Sequence, residues 1–235
     1  MSKSVPATFG LVAGLGVGAA VFYYRSLVAA HLERGLSPRL LMAHADVRLA
    51  MRLAQERKVD ELASYLVGLL NQLAAGGCTR ATIPAFSPQV CAKQLAEKSP
   101  LPLIGLLESA VAEVERRAFA RVAIFGARVT METRLFGALS DHAEVIVPAS
   151  PDLDLVSTTY SRVVERESAL PEELENLRAL AHRLIEKDHL DGILLAGTDW
   201  SFVFNPKNAD FPHIDGARTH IQAIMRELEG PELKS

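Results

Sequence analysis

Closely spaced glycines near the N-terminus form the first feature that could bind a ligand. In FGLVAGLGVGAAVFYY, residues 9–24, Gly14 and Gly16 follow an apolar run, and Gly14 to Ala19 fits the loose G-x-G-x-x-G/A pattern of dinucleotide-binding loops. Such glycines allow a positive φ, and the start of a following helix offers N–H groups to an anion. Asp46, the acidic residue that the pattern needs about 20 residues on, lies 27 residues after Ala19. A tight strand-to-helix turn with no ligand is therefore the alternative.

Three polar side chains in the first half have types that bind or transform a small acid. His44 ends an apolar run and titrates near neutral pH, so it is a candidate general base, with a structural histidine as the alternative. Arg48 offers a guanidinium fork that suits a planar carboxylate, unless it is a solvated helix residue. Ser87 follows a predicted strand and either binds substrate or caps the next helix; a nucleophilic role would need a base, and the sequence assigns none.

The pair Thr198-Asp199 follows another apolar run in the second half. A carboxylate at the end of a strand is a candidate general acid or base. The alternative is that Asp199 caps a helix N-terminus. Both interpretations of Asp199 stay open at the level of sequence.

Strands and helices alternate along the chain and would position these residues. The predicted strands are Phe9–Ala13, Leu40–Ala45, Ala81–Pro84, Arg121–Gly126, Glu144–Val147, Gly192–Leu195 and a short one ending at Ile214. The predicted helices begin at about Gly18 and cover Val59–Ala75, Val90–Lys98, Leu103–Arg117, Thr130–Leu139, Pro171–Lys187 and Ala217–Glu229, while PASPDLD, residues 148–154, is predicted to be a loop. This alternation predicts parallel sheets covered by helices on both faces.

The order of elements repeats, which predicts two similar halves. One consists of residues 1–117 with 215–235, and the other of residues 118–214. The expected fold class is α/β, with two similar doubly wound parallel-sheet halves and the site in the cleft between them, because ligands of such sheets bind beyond the carboxyl ends of the strands.

Composition excludes several classes of function. The 235 residues are 49% apolar and carry a net charge of −3, which gives no electrostatic footprint for nucleic acid. The apolar stretch 9–24 has about 16 residues, fewer than the roughly 20 that cross a bilayer, and its ending resembles no signal cleavage site. Two cysteines form no disulfide framework, and the seven histidines show no metal-ligand spacing. We expect a cytoplasmic protein without a metal or a membrane segment.

Several segments together resemble the aspartate/glutamate racemase superfamily, and within it the aspartate racemase branch, along nearly the whole chain. GLVAGLGVGAAVFYY is similar to the strand and GGMGPxAT turn of that branch, and TIPAFSPQ to its first catalytic segment, IPCNTAH. RVAIFGARVTME resembles the TxxTME stretch, LLAGTD the second catalytic segment, LGCTE, and FPHIDGARTHIQA the closing segment. Each motif is altered, but their order and spacing agree with the family.

The resemblance implies a cofactor-independent site in which two thiols exchange the α-proton of an amino acid from opposite faces. Here the two cysteine positions are Ala85 and Gly197. Cys78 and Cys91 lie elsewhere in the pattern and are interpreted as small buried hydrophobes. We therefore predict no racemisation of aspartate or glutamate.

Parts of the family's carboxylate site match residues of this sequence. The resemblance implies substrate contacts at Gly14, Gly16, Arg48, Thr130 and Thr198. Phe86 and Trp200 follow the two replaced cysteines directly, so they either make the cleft more apolar or pack in the core.

Two hypotheses of different class remain. The first is an isomerase or lyase with thiol-free chemistry that acts on a small carboxylate or amino acid derivative, with Asp199, His44 and Ser87 as the candidate catalytic groups. The second is a catalytically inactive pseudoenzyme that binds a small acid or a protein partner. The resemblance implies a homodimer in both cases.

Overall fold

The computed structural model describes residues 8–205 and 207–229. The chain divides into two compact units: unit 1 consists of residues 1–105 and 221–235, and unit 2 of residues 106–220. Each unit contains one parallel sheet flanked by helices. The predicted α/β class with two parallel-sheet units is confirmed. In the part of the chain that is described, no helix is both long and apolar enough to cross a bilayer.

Unit 1 is built on a three-stranded parallel sheet in the order β2-β1-β3. Its strands are β1 (Thr8–Ala13), β2 (Leu40–His44) and β3 (Cys78–Thr82), and its helices are α1 (Val17–Glu33), α2 (Val47–Gln55), α3 (Val59–Ala75) and α4 (Ala92–Lys98). The central strand β1 is almost entirely buried, as expected of a parallel sheet. Since all three strands run the same way, the turns after them meet at one edge.

The core of unit 1 forms around helix α3. Its leucines recur at helical spacing, which places one apolar face against the sheet; the buried ones are Leu62, Leu66, Leu69, Leu70 and Leu73. Cys78 and Cys91 belong to the same core and are both free and buried, which confirms their interpretation as small hydrophobes. Burial raises the pKa of the Cys78 thiol and raises that of Cys91 to about 12.

Unit 2 is built on a four-stranded parallel sheet in the order β5-β4-β6-β7. Its strands are β4 (Arg121–Gly126), β5 (Glu144–Ile146), β6 (Gly192–Ala196) and β7 (His213–Asp215), and its helices are α5 (Leu106–Arg116), α6 (Arg128–Glu132), α7 (Ser150–Arg166) and α8 (Pro171–Asp188). The last helix, α9 (Gly216–Glu229), contains the boundary between the two units. Central strands β4 and β6 are buried nearly throughout.

The structure corrects several sequence predictions. Helices α4 and α5 begin at Ala92 and Leu106, after the predicted Val90 and Leu103. Within PASPDLD, predicted to be a loop, helix α7 begins at Ser150, because Pro151 and Asp152 fall in its first turn, where a fixed φ and a negative charge are favourable. The predicted helix Thr130–Leu139 is interrupted, since Arg134 and Phe136 have left-handed backbone angles. Strand β3 starts at Cys78 and ends at Thr82, earlier than the predicted Ala81–Pro84.

Candidate functional site

Buried polar residues directly follow strand β6 of unit 2. Gly197 follows the last residue of the strand, Ala196, and a short 3-10 helix covers Thr198–Phe202. Both Thr198 and Asp199 are only 3% exposed, so the Asp199 carboxylate is held away from bulk water. A buried carboxylate at the carboxyl edge of a parallel sheet lies where this fold class binds ligands.

Tyr160 of helix α7 fills the space beside Gly197. A Cβ atom on residue 197 would lie 2.6 Å from Cζ and 2.9 Å from the hydroxyl oxygen of Tyr160, closer than real Cβ contacts. The backbone of Gly197 is extended, with φ −151°, and other residues adopt that conformation readily. Glycine is thus required by the tyrosine side chain and not by the backbone angles.

The Tyr160 hydroxyl and the Asp199 carboxylate interact directly. The hydroxyl donates to Oδ2 of Asp199 at 3.3 Å, a long distance for a bond between oxygens. Burial, followed by the negative charge of Asp199, raises the pKa of Tyr160 well above its usual value. Hydrogen bonds with the Asp199 backbone and the Thr198 side chain act in the opposite direction. Near neutral pH the phenol therefore keeps its proton.

Trp200 holds the tyrosine ring in place. It is fully buried, and its indole N–H donates to the Phe125 carbonyl oxygen of β4 at 2.9 Å. The Trp200 and Tyr160 rings lie 4.9 Å apart between centroids, tilted by 49°. Trp200 thus packs in the core of unit 2 and fixes the orientation of Tyr160; its predicted effect on ligand choice stays a prediction.

Thr130 lies near the end of the neighbouring strand β4. Its backbone N–H donates to the Ala127 carbonyl oxygen at 3.0 Å as helix α6 begins. Its side chain is fully buried, and its hydroxyl oxygen has no hydrogen-bond partner among residues 8–205 and 207–229. Buried hydroxyls nearly always have a partner, so this one marks a candidate ligand contact.

In unit 1, Gly14 and His44 lie together at the sheet edge. Gly14 has φ +88°, and a Cβ there would lie 2.5 Å from the Ala45 carbonyl oxygen and 2.9 Å from Nδ1 of His44. This confirms a turn that requires glycine for both conformation and space. His44 is exposed at the end of β2, against the Gly14 turn. Gly16 precedes helix α1 in an extended conformation.

Arg48 and Asp46 lie at the start of helix α2. The Asp46 carboxylate accepts from the backbone N–H groups of Arg48 at 2.9 Å and Leu49 at 3.2 Å, so it is the N-cap of this helix. The Arg48 side chain is exposed. Asp46 therefore acts as a helix cap, and no nucleotide ligand is needed to explain it. This agrees with the weak match of the sequence to the dinucleotide-binding pattern.

The segment after β3 contains Ala85, Phe86 and Ser87. Ala85 and Phe86 are buried, and Ser87 is half-buried at the start of a short 3-10 helix, Ser87–Cys91. The Gln89 side chain donates to the carbonyl oxygens of Ile83 at 3.1 Å and Ala85 at 3.0 Å. Gln89 therefore fixes the backbone of this segment, and Phe86 packs in the core.

Sequence reasoning did not find Tyr160. The reason is that the sequence predicts a loop, PASPDLD, where its helix begins. Leu153, Val156 and Val163 recur at helical spacing and are buried in α7, so this periodicity was the available signal. In contrast, Gly197, Thr198 and Asp199 were found from sequence, and all three contact or adjoin Tyr160.

Comparison with known proteins supports the resemblance noted above. A family model described as Asp/Glu/Hydantoin racemase matches residues 12–224. Among curated proteins, no sequence matches this chain significantly.

Solved structures with a similar fold include racemases, racemase homologues and a decarboxylase. A candidate Asp/Glu racemase from Yersinia pestis has a TM-score of 0.82 and 19% identity, covering 94% of this chain and 99% of that chain. An aspartate racemase homologue from Pyrococcus horikoshii has a TM-score of 0.78 and 16% identity, with coverage of 94% and 99%. A mutant of arylmalonate decarboxylase in its liganded form has a TM-score of 0.59 and 13% identity, with coverage of 97% and 94%. At these identities the likeness shows the fold.

Proposed function

Since this chain belongs to the Asp/Glu/Hydantoin racemase family, we propose that it binds a small carboxylate or amino acid derivative and acts on it as an isomerase or lyase without using a thiol. The ligand would contact the carboxyl edge of the unit 2 sheet, where Thr130, Thr198 and Asp199 are buried.

The Thr130 hydroxyl is the observation that carries this proposal. Leaving a buried hydroxyl without a hydrogen bond costs about 1–3 kcal/mol. A ligand carboxylate that accepts from this hydroxyl would offset that cost. Thr130 also matches a carboxylate-binding threonine in the family resemblance, so the unpartnered atom lies where a carboxylate is expected.

The state of both cysteines supports chemistry without thiols. Cys78 is the first residue of β3, at the opposite end of the strand from the ligand-binding edge. Cys91 is fully buried, and burial raises its pKa to about 12. A thiol must ionise to act as a base, so neither cysteine is suited to that role near neutral pH. Asp199 is the acid or base that we propose instead.

The unit 1 residues remain proposed contributors. The backbone of Gly14 and Gly16 and the exposed Arg48 guanidinium are suited to an anionic ligand. His44 and Ser87 are polar side chains that a ligand could reach, because neither is fully buried. Replacing each by alanine would show which of them affects binding.

Ligand-induced thermal shifts test the proposal. We would measure the Tm of the wild-type protein with aspartate, glutamate, malate, malonate and phenylmalonate, and repeat it for Thr130→Val. The variant removes the hydroxyl at similar volume, so we expect unchanged or higher stability without ligand and loss of the ligand-induced shift. Thr158→Val, at an exposed position of α7, is the matched control.

Two results would overturn the proposal. One is that no carboxylate raises the Tm of the wild-type protein. The other is that Thr130→Val binds the same carboxylate as tightly as the wild type. Binding with no conversion of any probe would favour the pseudoenzyme alternative.

A further inference from the structure

We propose that the Tyr160 hydroxyl is the proton donor of this site, occupying the volume that a side chain on residue 197 would otherwise fill. This inference rests on the proposed function, and it adds a catalytic residue that the sequence did not indicate.

The Tyr160 phenol fills the space beside Gly197. A Cβ on residue 197 would meet Cζ of Tyr160 at 2.6 Å and its hydroxyl oxygen at 2.9 Å, while the backbone of Gly197 is extended and would accept other residues. The phenol thus takes the space directly after strand β6, at the carboxyl edge where ligands of parallel sheets bind. The phenol of Tyr160, from helix α7, therefore stands where a side chain on residue 197 would otherwise lie.

Packing against Trp200 holds the Tyr160 ring in place. Trp200 is fully buried against it, with ring centroids 4.9 Å apart, and is itself tied to the Phe125 carbonyl oxygen at 2.9 Å. A fixed donor loses little freedom when it meets a ligand, which favours proton transfer in a defined geometry.

The Tyr160 hydroxyl carries a proton near neutral pH. Burial and the Asp199 carboxylate keep the phenol protonated, because both raise the pKa of Tyr160. Its bond to Asp199 is long, at 3.3 Å, so the hydrogen is not held tightly by the carboxylate. Tyr160 is therefore available to donate the proton, so the acid role proposed above for Asp199 passes to Tyr160, and the Asp199 carboxylate, which accepts from the hydroxyl, orients it.

The proposed step is balanced as follows. When CO₂ leaves a bound malonate, the electron pair of the broken C–C bond stays on the α-carbon as a carbanion next to the remaining carboxylate. That pair forms the new C–H bond as the O–H bond of Tyr160 breaks. The oxygen keeps the pair of the broken bond as a phenolate, which the Asp199 backbone N–H and the Thr198 side chain can hydrogen-bond. Solvent water then returns a proton to the phenolate. Such a carbanion is a much stronger base than a phenolate, so the transfer runs downhill.

Turnover and binding of Tyr160→Phe test this inference. The variant keeps the ring and removes only the hydroxyl. With malonate and phenylmalonate as probes, we expect the ligand-induced Tm shift to remain and the rate of product formation in deuterated water to fall by roughly 100-fold or more, the usual contribution of a positioned acid. Tyr24→Phe, at an exposed tyrosine of α1 in unit 1, is the control and should keep full turnover.

A signal that does not depend on turnover separates ligand contact by Tyr160 from a packing role. The chain has four tyrosines, so ¹³Cζ-tyrosine NMR can assign Tyr160 from the peak lost in Tyr160→Phe. Malonate should shift that peak and leave the Tyr24 peak in place. Asp199→Asn should move the pH dependence of turnover, which a purely structural role would not do.

The outcomes distinguish this inference from the proposed function. If no probe raises the Tm of the wild type, both fall together. If a probe binds but is not converted, or if Tyr160→Phe converts it as fast as the wild type, the proton-donor role is overturned and binding stands. If the Tyr160 peak is unmoved by bound malonate, the hydroxyl does not contact the ligand and the inference is overturned.

Discussion

The ring of Tyr160 and the missing side chain of Gly197 occupy the same space, since a Cβ on residue 197 would lie 2.6 Å from Cζ of the tyrosine. The two residues therefore depend on each other. A tyrosine at position 160 excludes any side chain at 197, and a glycine at 197 leaves a space that only a large side chain from α7 fills.

This dependence predicts a non-additive pair of substitutions. Gly197→Ala should destabilise the protein by about 1–3 kcal/mol, because the core around Trp200 cannot move aside. The same change in a Tyr160→Ala background should cost much less, giving a favourable coupling energy. Denaturant unfolding of the four proteins in the cycle measures it.

A matched control exists in unit 1. Gly68 is inside helix α3, and a Cβ there would meet nothing within 4 Å. Gly68→Ala should therefore stabilise the protein by about 0.5–1 kcal/mol, in the opposite direction to Gly197→Ala. Equal effects of the two substitutions would contradict the steric interpretation of Gly197.

Gly14→Ala should destabilise through the backbone rather than through a side chain. The residue has φ +88°, and a Cβ would lie 2.5 Å from the Ala45 carbonyl oxygen. We expect a loss of about 1–3 kcal/mol, in the usual range for such strain. The Cβ would also lie 2.9 Å from Nδ1 of His44, but the nearest contact and the positive φ are backbone features, so His44→Ala should not restore stability. Thermal or denaturant unfolding of the double variant checks this, and full rescue would show that His44 was the obstacle.

The two thiols should be unreactive in the folded protein. Burial raises the pKa of Cys78 and brings that of Cys91 to about 12, so little thiolate forms at pH 7.5. Mass spectrometry after iodoacetamide treatment should find both cysteines unmodified in buffer and modified in guanidinium. Rapid modification of either one in the native protein would mean that its thiol is exposed.

Glu113 should make stability depend on pH in the acid range. Hydrogen bonds from Arg116, opposed by burial and joined by those from Arg117, lower the pKa of Glu113 to about 2. A lowered folded-state pKa means that the stabilisation is complete above the unfolded-state value near 4.5 and is lost as pH falls toward 2. Arg117 also donates to the His213 carbonyl oxygen, so the cluster links α5 to β7.

Unfolding by guanidinium at pH 7, 5 and 3 measures this effect. Glu113→Gln should lower stability at pH 7 and flatten the decline between pH 5 and 3. Glu115→Gln, at a more exposed site on the same helix, is the control. If the free energy of unfolding falls equally between pH 5 and 3 in Glu113→Gln and in the wild type, Glu113 does not contribute to the pH dependence of stability.

Periodic and glycine-bearing features were predictable from sequence, and contacts between distant segments were not. The strand at Arg121–Gly126 and the helix at Val59–Ala75 were predicted with their observed bounds, because an apolar run and a regular leucine spacing mark them clearly. The family resemblance singles out Gly197, which replaces a catalytic cysteine, and Asp199, which matches the acidic residue two positions later.

The remaining features depend on tertiary structure. No local sequence feature around Tyr160 predicts its contact with Gly197, 37 positions later in the chain. The start of its helix, with Pro151 between polar residues, resembles a turn until the helix behind it is recognised. The lack of a partner for the Thr130 hydroxyl is likewise a property of the packed unit, since it depends on which groups come near it.

The measurement that most directly tests thiol-free chemistry on this scaffold is α-hydrogen exchange in deuterated water, followed by proton NMR for both enantiomers of aspartate and glutamate. The family resemblance assigns the positions of the two catalytic thiols to Ala85 and Gly197, so we predict that the wild-type protein exchanges neither amino acid and forms no opposite enantiomer. Exchange of either amino acid that is abolished by Cys78→Ala or Cys91→Ala, and not by Asp199→Asn, would contradict it.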